Sequence, residues 1–242
     1  MSFDRKVIGD LPLRVVSEEG MMSVIRDYGI IPLTACGVRG WSIEEMTPAE
    51  CWFTDDCLGP WDWKIHCVQT GDVAYGKFLC GGKAAFATAD WYRELMNYRR
   101  SLNKYMPDSQ GQMILQLLER NSTVSIADIR QLLGVKKNAA DVAATRLQMQ
   151  CRLVIGDISR VYRGPDLHYN GWQRASFCAP DALFGWTGGS SADVKGPGGF
   201  PFVDDEVQTI SHTPQESKEL LVSHISRLFP DATEKQIIKV LS

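Results

Sequence analysis

The chain has 242 residues, of which 44% are hydrophobic and 23% are charged, an ordinary balance for a soluble globular protein of one large domain or two small ones. Its formal net charge of -3 argues against a protein that coats nucleic acid without specificity. No run approaches the roughly 20 apolar residues that are needed to cross a bilayer. Residues 1–16 are interrupted by charged side chains, so we expect no signal peptide and a cytoplasmic location.

The cysteines indicate a reducing compartment. Seven of them are widely spaced and form no Cys-x-x-Cys pair, which is typical of reduced thiols in a cytoplasm. Cys57, His66 and Cys67 are the one tempting metal cluster, but ligands at adjacent positions fit no common zinc spacing. We therefore expect these side chains to pack structurally, with neither a metal nor a cofactor.

Residues 1–105 are predicted to form a mixed α/β region. Residues 73–79 alternate in the manner of a strand, Gly81 and Gly82 suit a tight hairpin turn, and residues 83–87 return. Thr88 is then a suitable cap for a helix that continues to Arg100. The sequence thus predicts a hairpin followed directly by a helix.

The same region is rich in tryptophan and aspartate. If residues 61–63 are extended, Trp61 and Trp63 lie on one side of a strand and offer a flat platform for a base or a sugar. The aspartates could act as general bases only where they converge, and the alternative is that the rings simply fill a core. The candidate pocket consists of Trp52, Asp55, Asp56, Trp61, Asp62, Trp63 and Lys64.

Residues 106–184 have the element order of a winged helix-turn-helix. Amphipathic segments at 110–120 and 125–133 precede a turn at 134–137 and a third helix at 138–150. A strand at 153–155, a turn at 164–166 and a returning strand at 171–178 would form the wing. Such a module usually sets its third helix and its wing against nucleic acid, although many such modules only hold proteins together.

The charge of this segment favours an anionic partner. Residues 109–174 contain nine basic and five acidic residues, a net charge of +4, so the rest of the chain carries -7. Positions 137, 141, 145, 148 and 152 recur at helical spacing on one polar face, which would meet a duplex or simply be solvated. The candidate nucleic-acid contacts are Lys136, Lys137, Thr145, Arg152, Arg160 and Arg163, the last two at the wing.

The remaining residues contain a connector and two helices. Residues 185–210 are rich in glycine and proline and are predicted to connect. Residues 211–242 carry two helices that begin at Thr213 and Thr233. The predicted fold class is therefore α+β: a mixed α/β N-terminal region, then a winged helix-turn-helix, then a C-terminal helix pair.

Four stretches together carry a family resemblance: residues 59–64 (GPWDWK), 74–78 (AYGKF), 98–100 (YRR) and 145–150 (TRLQMQ). With them the chain resembles the bacterial AlkZ-related proteins, which are relatives by proposed fold of the AlkZ-type DNA glycosylases. Those glycosylases are built from tandem winged helices and excise alkylated or crosslinked bases. They use a glutamine–apolar–glutamine motif to place a water molecule at the sugar carbon.

The resemblance implies Gln148 and Gln150 as candidate catalytic residues, because Gln148-Met149-Gln150 reproduces that motif. Helical residues two positions apart point about 200° away from each other. The two glutamines would therefore meet one target only if the helix ended before Gln148 and the chain became extended.

Three functions follow from these patterns. The leading one is a cytoplasmic protein that binds double-stranded DNA, is related to DNA glycosylases, and flips a damaged base against the tryptophans if it is active, without metal. The alternative is a small-molecule-binding or hydrolytic protein that uses the tryptophan-rich pocket, with the winged helix as a packing module. The third is an interaction protein that works through the C-terminal helix pair.

Overall fold

The computed structural model of the chain describes residues 15–52, 58–186 and 212–242. Within these ranges it contains nine α-helices, six β-strands and three short 3-10 helices, which confirms the mixed α+β class. Asp55, Asp56 and nearly all of the predicted connector lie outside the described residues. None of the described helices is both long and apolar enough to span a membrane.

The first part of the chain alternates helices with short strands. Helix α1 (Glu18–Tyr28) begins where the Ser17 side chain accepts a hydrogen bond from the Gly20 amide, and strand β1 (Ile30–Pro32) follows. The next elements are α2 (Pro60–Gln69), β2 (Val73–Leu79), β3 (Lys83–Thr88) and α3 (Ala89–Arg100). The predicted hairpin and the helix behind it are confirmed.

The expectation that Trp61 and Trp63 alternate along a strand is wrong, because both lie in the first turn of α2. Pro60 favours a helix start because its ring fixes φ at a helical value. Proline also loses no hydrogen bond there, since an N–H in the first turn of a helix has no acceptor within the helix. Residues two apart on a helix point in nearly opposite directions. Trp63 accordingly enters the core at 7% exposure, while Trp61 is 37% exposed.

The middle of the chain has three helices followed by a long hairpin. They are α4 (Ser109–Arg120), β4 (Val124–Ser125), α5 (Ile126–Leu133), α6 (Lys137–Met149), β5 (Val154–Arg163) and β6 (His168–Cys178). A capping box between Ser125 and Asp128 starts α5, and Gly134 ends it in the left-handed conformation that glycine adopts without strain. The predicted helices and strands of this part are confirmed.

The C-terminal helix pair is also confirmed. After the short α7 (Pro180–Phe184), helices α8 (Pro214–Leu228) and α9 (Glu234–Leu241) each begin with a capping box, at Thr213 and Thr233. Their buried faces belong to the main core, where Leu221, Ile225 and Ile237 are fully enclosed. The pair therefore packs as part of the body of the protein.

All six described strands form one antiparallel sheet in the order β1-β3-β2-β5-β6-β4. The β2–β3 hairpin and the β5–β6 hairpin meet at a single residue pair, Tyr75 opposite Ile155. A larger core surrounds the first hairpin, and a smaller one lies among α4, α5, α6 and Phe177. Ile155 packs against both cores, so the junction of the hairpins also joins the two hydrophobic clusters.

A disulfide joins Cys36 to Cys80, so the expectation of reduced thiols is wrong for these two residues. It ties the segment after β1 to the β2–β3 turn. The same turn holds the end of α9, because the Cys80 amide donates to the Val240 carbonyl at 2.7 Å and the Gly81 amide to the Ser242 carbonyl at 3.1 Å. Sequence spacing could not identify this pair, since the two cysteines lie 44 residues apart and meet only through the fold.

We expect reduction of this disulfide to lower the free energy of unfolding by about 3 kcal/mol, because the crosslink restricts the unfolded chain. Urea unfolding with and without dithiothreitol measures the effect. The double variant Cys36→Ala/Cys80→Ala is the control, since it should unfold at one midpoint in both buffers. An unchanged wild-type midpoint on reduction would contradict the expectation.

Candidate functional site

A network of polar side chains joins the start of α2 to the β5–β6 hairpin. The Tyr169 hydroxyl donates to Asp62 Oδ1 at 2.8 Å and accepts from Gln173 Nε2 at 2.9 Å. Gln173 Oε1 in turn accepts from Lys64 Nζ at 2.6 Å. We call this network the Trp61 cluster; its members are Trp61, Asp62, Lys64, Arg160, Tyr169 and Gln173.

Lys64 is the most unusual member, because its amine is enclosed. Its side chain belongs to a residue that is 3% exposed, and Nζ lies 3.3 Å from the centroid of the Trp61 ring. Burial lowers the pKa of Lys64 to about 7, against an opposing effect of the nearby Asp62 charge. Near neutral pH the amine therefore exists in both its charged and its neutral form, although it is closed off from solvent in this arrangement.

Arg160 faces α2 as well. Its Nε lies 3.5 Å from Asp62 Oδ1, which also accepts the hydrogen bond from Tyr169. Burial raises the pKa of Tyr169, so this hydroxyl stays protonated and keeps donating. The polar atoms of the cluster satisfy one another, and their effect is to fix the hairpin against α2.

The structure brings together only part of the predicted pocket. Trp61, Asp62 and Lys64 meet in the cluster, whereas Trp63 is buried and Trp52 is half-buried against the core. The rest of the predicted pocket lies outside the described residues, so the pocket as a whole stays a prediction.

The opposite side of the hairpin is an exposed aromatic and basic surface. Side chains alternate along a strand, so Trp172 points away from the side on which Gln173 contacts α2. Trp172 is 56% exposed, and the Arg163 guanidinium lies 5.6 Å from its ring centroid. We call this surface the outer hairpin face; it consists of Arg163, Trp172 and Arg174, with Leu167, 69% exposed, at the tip.

Sequence reasoning missed Tyr169, Trp172 and Gln173. Trp172 carried a usable signal, because it stands between Gly171 and a polar pair in a predicted strand beside the basic wing. Tyr169 and Gln173 carried none, since their role depends on the register that sets them against α2, more than 100 positions earlier in the chain.

The third helix of this part, α6, is only partly available to a partner. Lys136 and Lys137 are exposed at its start. Its second half packs along β2, and an open cleft of about 320 Å³ between them is lined by Lys77, Asp141, Val142, Thr145 and Arg146. The predicted polar face does not extend to Arg152, because α6 ends at Met149 and Arg152 is 2% exposed.

Gln148 and Gln150 are buried and hydrogen-bonded within the protein. Gln148 Oε1 accepts from the Lys77 amide at 2.8 Å, and its Nε2 donates to the Ala144 carbonyl at 3.2 Å. Gln150 caps α6 and donates to the Met106 carbonyl at 3.2 Å. The catalytic assignment of this pair stays a prediction; in this arrangement neither side chain reaches the surface, at 2% and 3% exposure.

We expect Gln148→Met to lower the free energy of unfolding by about 1 to 3 kcal/mol, because it leaves the Lys77 amide without an acceptor while keeping the side-chain volume. Chemical denaturation measures the change. The exposed Gln131→Met on α5 is the control and should stay within about 0.5 kcal/mol of the wild type. Equal stability of the two variants would show that the buried hydrogen bond contributes little.

Lys64 makes a second expectation possible, on the pH dependence of stability. Its pKa is about 7 in the folded chain and 10.5 when unperturbed, so between these values the unfolded state binds more protons. The stability of the wild type relative to Lys64→Met should therefore rise with pH across this window, by at most about 1.4 kcal/mol per pH unit. Denaturation at several pH values measures it, and a flat difference would contradict the burial of a titrating amine. Lys77→Met, at an exposed position, is the control.

Among the described residues, no group of three or more histidine, cysteine, aspartate or glutamate side chains is placed to hold a metal ion.

Comparison with curated proteins found no match, and neither did comparison with solved structures. A protein-family model described as AlkZ related matches residues 15–242. This match spans α2, both hairpins, α6 and the C-terminal helix pair, and the chain therefore belongs to the AlkZ-related family.

Proposed function

We propose that the protein binds double-stranded DNA through the outer hairpin face and the start of α6. The family match supports a relationship to DNA-repair glycosylases. The single observation that carries the proposal is the exposed Trp172 with the Arg163 guanidinium over its ring. An exposed aromatic side chain among basic residues suits packing against the sugars and contact with the phosphates of a duplex.

The element order supports this use of the hairpin. We infer that α4, β4, α5, α6 and the β5–β6 hairpin form a winged helix-turn-helix, which corresponds to the division at residues 106–184. These elements share a small core of their own that includes Ile114, Ile129, Leu147 and Phe177. In such modules the hairpin is a wing that commonly meets the nucleic-acid backbone.

The packing of α6 decides which part of that module is available. The first turns of α6, with Lys136 and Lys137, are free for a duplex, whereas much of its second half packs against β2; Arg146 in the last turn is exposed but pairs with Asp108. The hairpin adds Arg163 and Arg174 on its outer face, whereas Arg160 is directed toward Asp62. The contact we propose is therefore made mainly by the wing, with phosphate contacts from these basic side chains.

We propose binding without base excision by Gln148 and Gln150. Excision by this pair would require both side chains to leave their hydrogen bonds with Lys77 and Met106 and to reach solvent. The alternative of a small-molecule or hydrolytic pocket has no specific observation in its favour, since the polar atoms of the Trp61 cluster are occupied by one another.

We expect the full chain to bind labelled duplex DNA in a fluorescence-anisotropy titration, with an affinity that falls as salt rises. Trp172→Ala should weaken binding about tenfold, because the ring no longer packs against the sugar-phosphate backbone and no longer orients Arg163, and Arg163→Gln should also reduce the magnitude of the salt slope by about 1. Arg26→Gln is the matched control, because Arg26 is an exposed arginine on α1 that pairs with Asp72.

The titration separates the possibilities clearly. Affinity that is absent at low salt would overturn the proposal of DNA binding. Affinity that all three variants retain equally would keep DNA binding but remove the outer hairpin face from it.

A further inference from the structure

The connection between α6 and β5 turns inward. All of its residues, from Gln150 to Leu153, are buried, and Cys151 adopts a left-handed backbone with φ of 54°. The Cys151 and Arg152 amides each bond back to the last turn of α6, to the Gln148 and Leu147 carbonyls, both at 2.9 Å. This tight turn places the Arg152 side chain inside the protein.

The Arg152 guanidinium has no acidic partner there. No described acid lies within ion-pair distance of it, and its buried Nε has no hydrogen-bond partner. Burial and the charge of Arg100 lower the pKa of Arg152 to about 10, so it remains charged at neutral pH. A buried charge without a partner is among the most costly features that a folded protein can contain.

Other cationic groups converge on the same connection. Arg100 Nη2 donates to the Cys151 carbonyl at 2.6 Å, and Arg99 Nη1 donates to the Met149 carbonyl at 2.9 Å. The negative charge of Asp181 partly offsets the effect of burial on the pKa of Arg100. No ion pair joins Asp181 to Arg152. The positive charge around Arg152 is thus increased by its neighbours and is not neutralised at its own guanidinium.

A buried hydroxyl beside Arg99 and Arg100 has only a weak partner. Tyr92 is fully enclosed, and its Oη has no oxygen or nitrogen partner within the described part of the chain; the group beside it is the Cys151 thiol, a weak acceptor. Buried polar atoms in native proteins are nearly always satisfied by protein, water or an ion. The unsatisfied Nε of Arg152 can only donate, so the group that completes it is an acceptor, and the surrounding positive charge favours an anion; Gln150 Oε1, an acceptor in the same connection, is also unsatisfied within the described part of the chain.

We propose that Arg152, with Arg100 nearby, forms an enclosed binding site for a phosphate-type oxyanion. A tetrahedral oxyanion supplies several acceptor atoms together with the missing negative charge. The same chemistry is found in free inorganic phosphate and in the phosphate of a nucleotide. This site is separate from the outer hairpin face and does not depend on DNA binding there.

Thermal unfolding of the full chain in sodium phosphate tests the site, with sodium chloride added to hold ionic strength constant. Once phosphate exceeds its dissociation constant, the wild-type Tm should rise by about 3 to 5 °C for each tenfold increase in concentration. Arg152→Gln should lose this dependence. Without phosphate it should be at least as stable as the wild type, because an unpaired buried charge is removed.

Arg146→Gln is the matched control, since Arg146 is an exposed arginine that pairs with Asp108, and it should keep the full phosphate response. Isothermal titration of phosphate into the wild type gives an independent measurement that requires no variant, with one ion per chain expected. A wild-type Tm that is indifferent to phosphate, together with no heat of binding, would overturn the proposal.

Nucleoside monophosphate in a parallel titration distinguishes the two sources of the oxyanion. A larger Tm increase than with inorganic phosphate at equal concentration, absent in Arg152→Gln, assigns the site to a nucleotide. An equal or smaller increase assigns it to the free ion. A response that Arg152→Gln retains in full would place the phosphate elsewhere and contradict the proposed site.

Discussion

The contact between α6 and strand β2 is the interaction on which the rest of the structure depends. Gln148 reaches from the helix to the Lys77 amide at 2.8 Å, and Gly76 leaves room for it, since a Cβ there would lie only 2.8 Å from Gln148 Oε1. Beside this bond Tyr75 pairs with Ile155 and makes the two hairpins one sheet. These two contacts, which we call the α6–β2 seam, join the N-terminal region to the helical part of the chain.

This seam also decides which surfaces a partner can reach. It buries Leu147 and Gln148 of α6 but leaves Arg146 exposed, and the outer hairpin face stays exposed as well. The hairpin is held at its middle and near its turn by the Trp61 cluster, where the hydrogen bonds from Tyr169 to Asp62 and from Lys64 to Gln173 secure it to α2. One side of the hairpin therefore packs against α2, and the other side carries the exposed Trp172 and Arg163.

Two buried cations show how differently lysine and arginine respond to a dry environment. The amine of Lys64 can lose its proton near neutral pH, and it has acceptors in the Trp61 carbonyl and in Gln173. A guanidinium cannot be neutralised in the same way. Arg152 therefore keeps a charge that only an anion balances, and the contrast explains why we place a ligand at Arg152 and a structural role at Lys64.

The sequence by itself determined the elements that local signals specify. The capping residues Thr213 and Thr233 and the turn glycines Gly81, Gly82 and Gly134 marked their helices and hairpin, because caps and turns depend on neighbours in the chain. Only the tertiary structure decided the rest. It placed Trp61 and Trp63 on opposite sides of a helix, joined Cys36 to Cys80, buried Gln148 and Arg152, and set Tyr169 and Gln173 against α2. Each of these depends on contacts between residues far apart in sequence, whose register and burial no local pattern encodes.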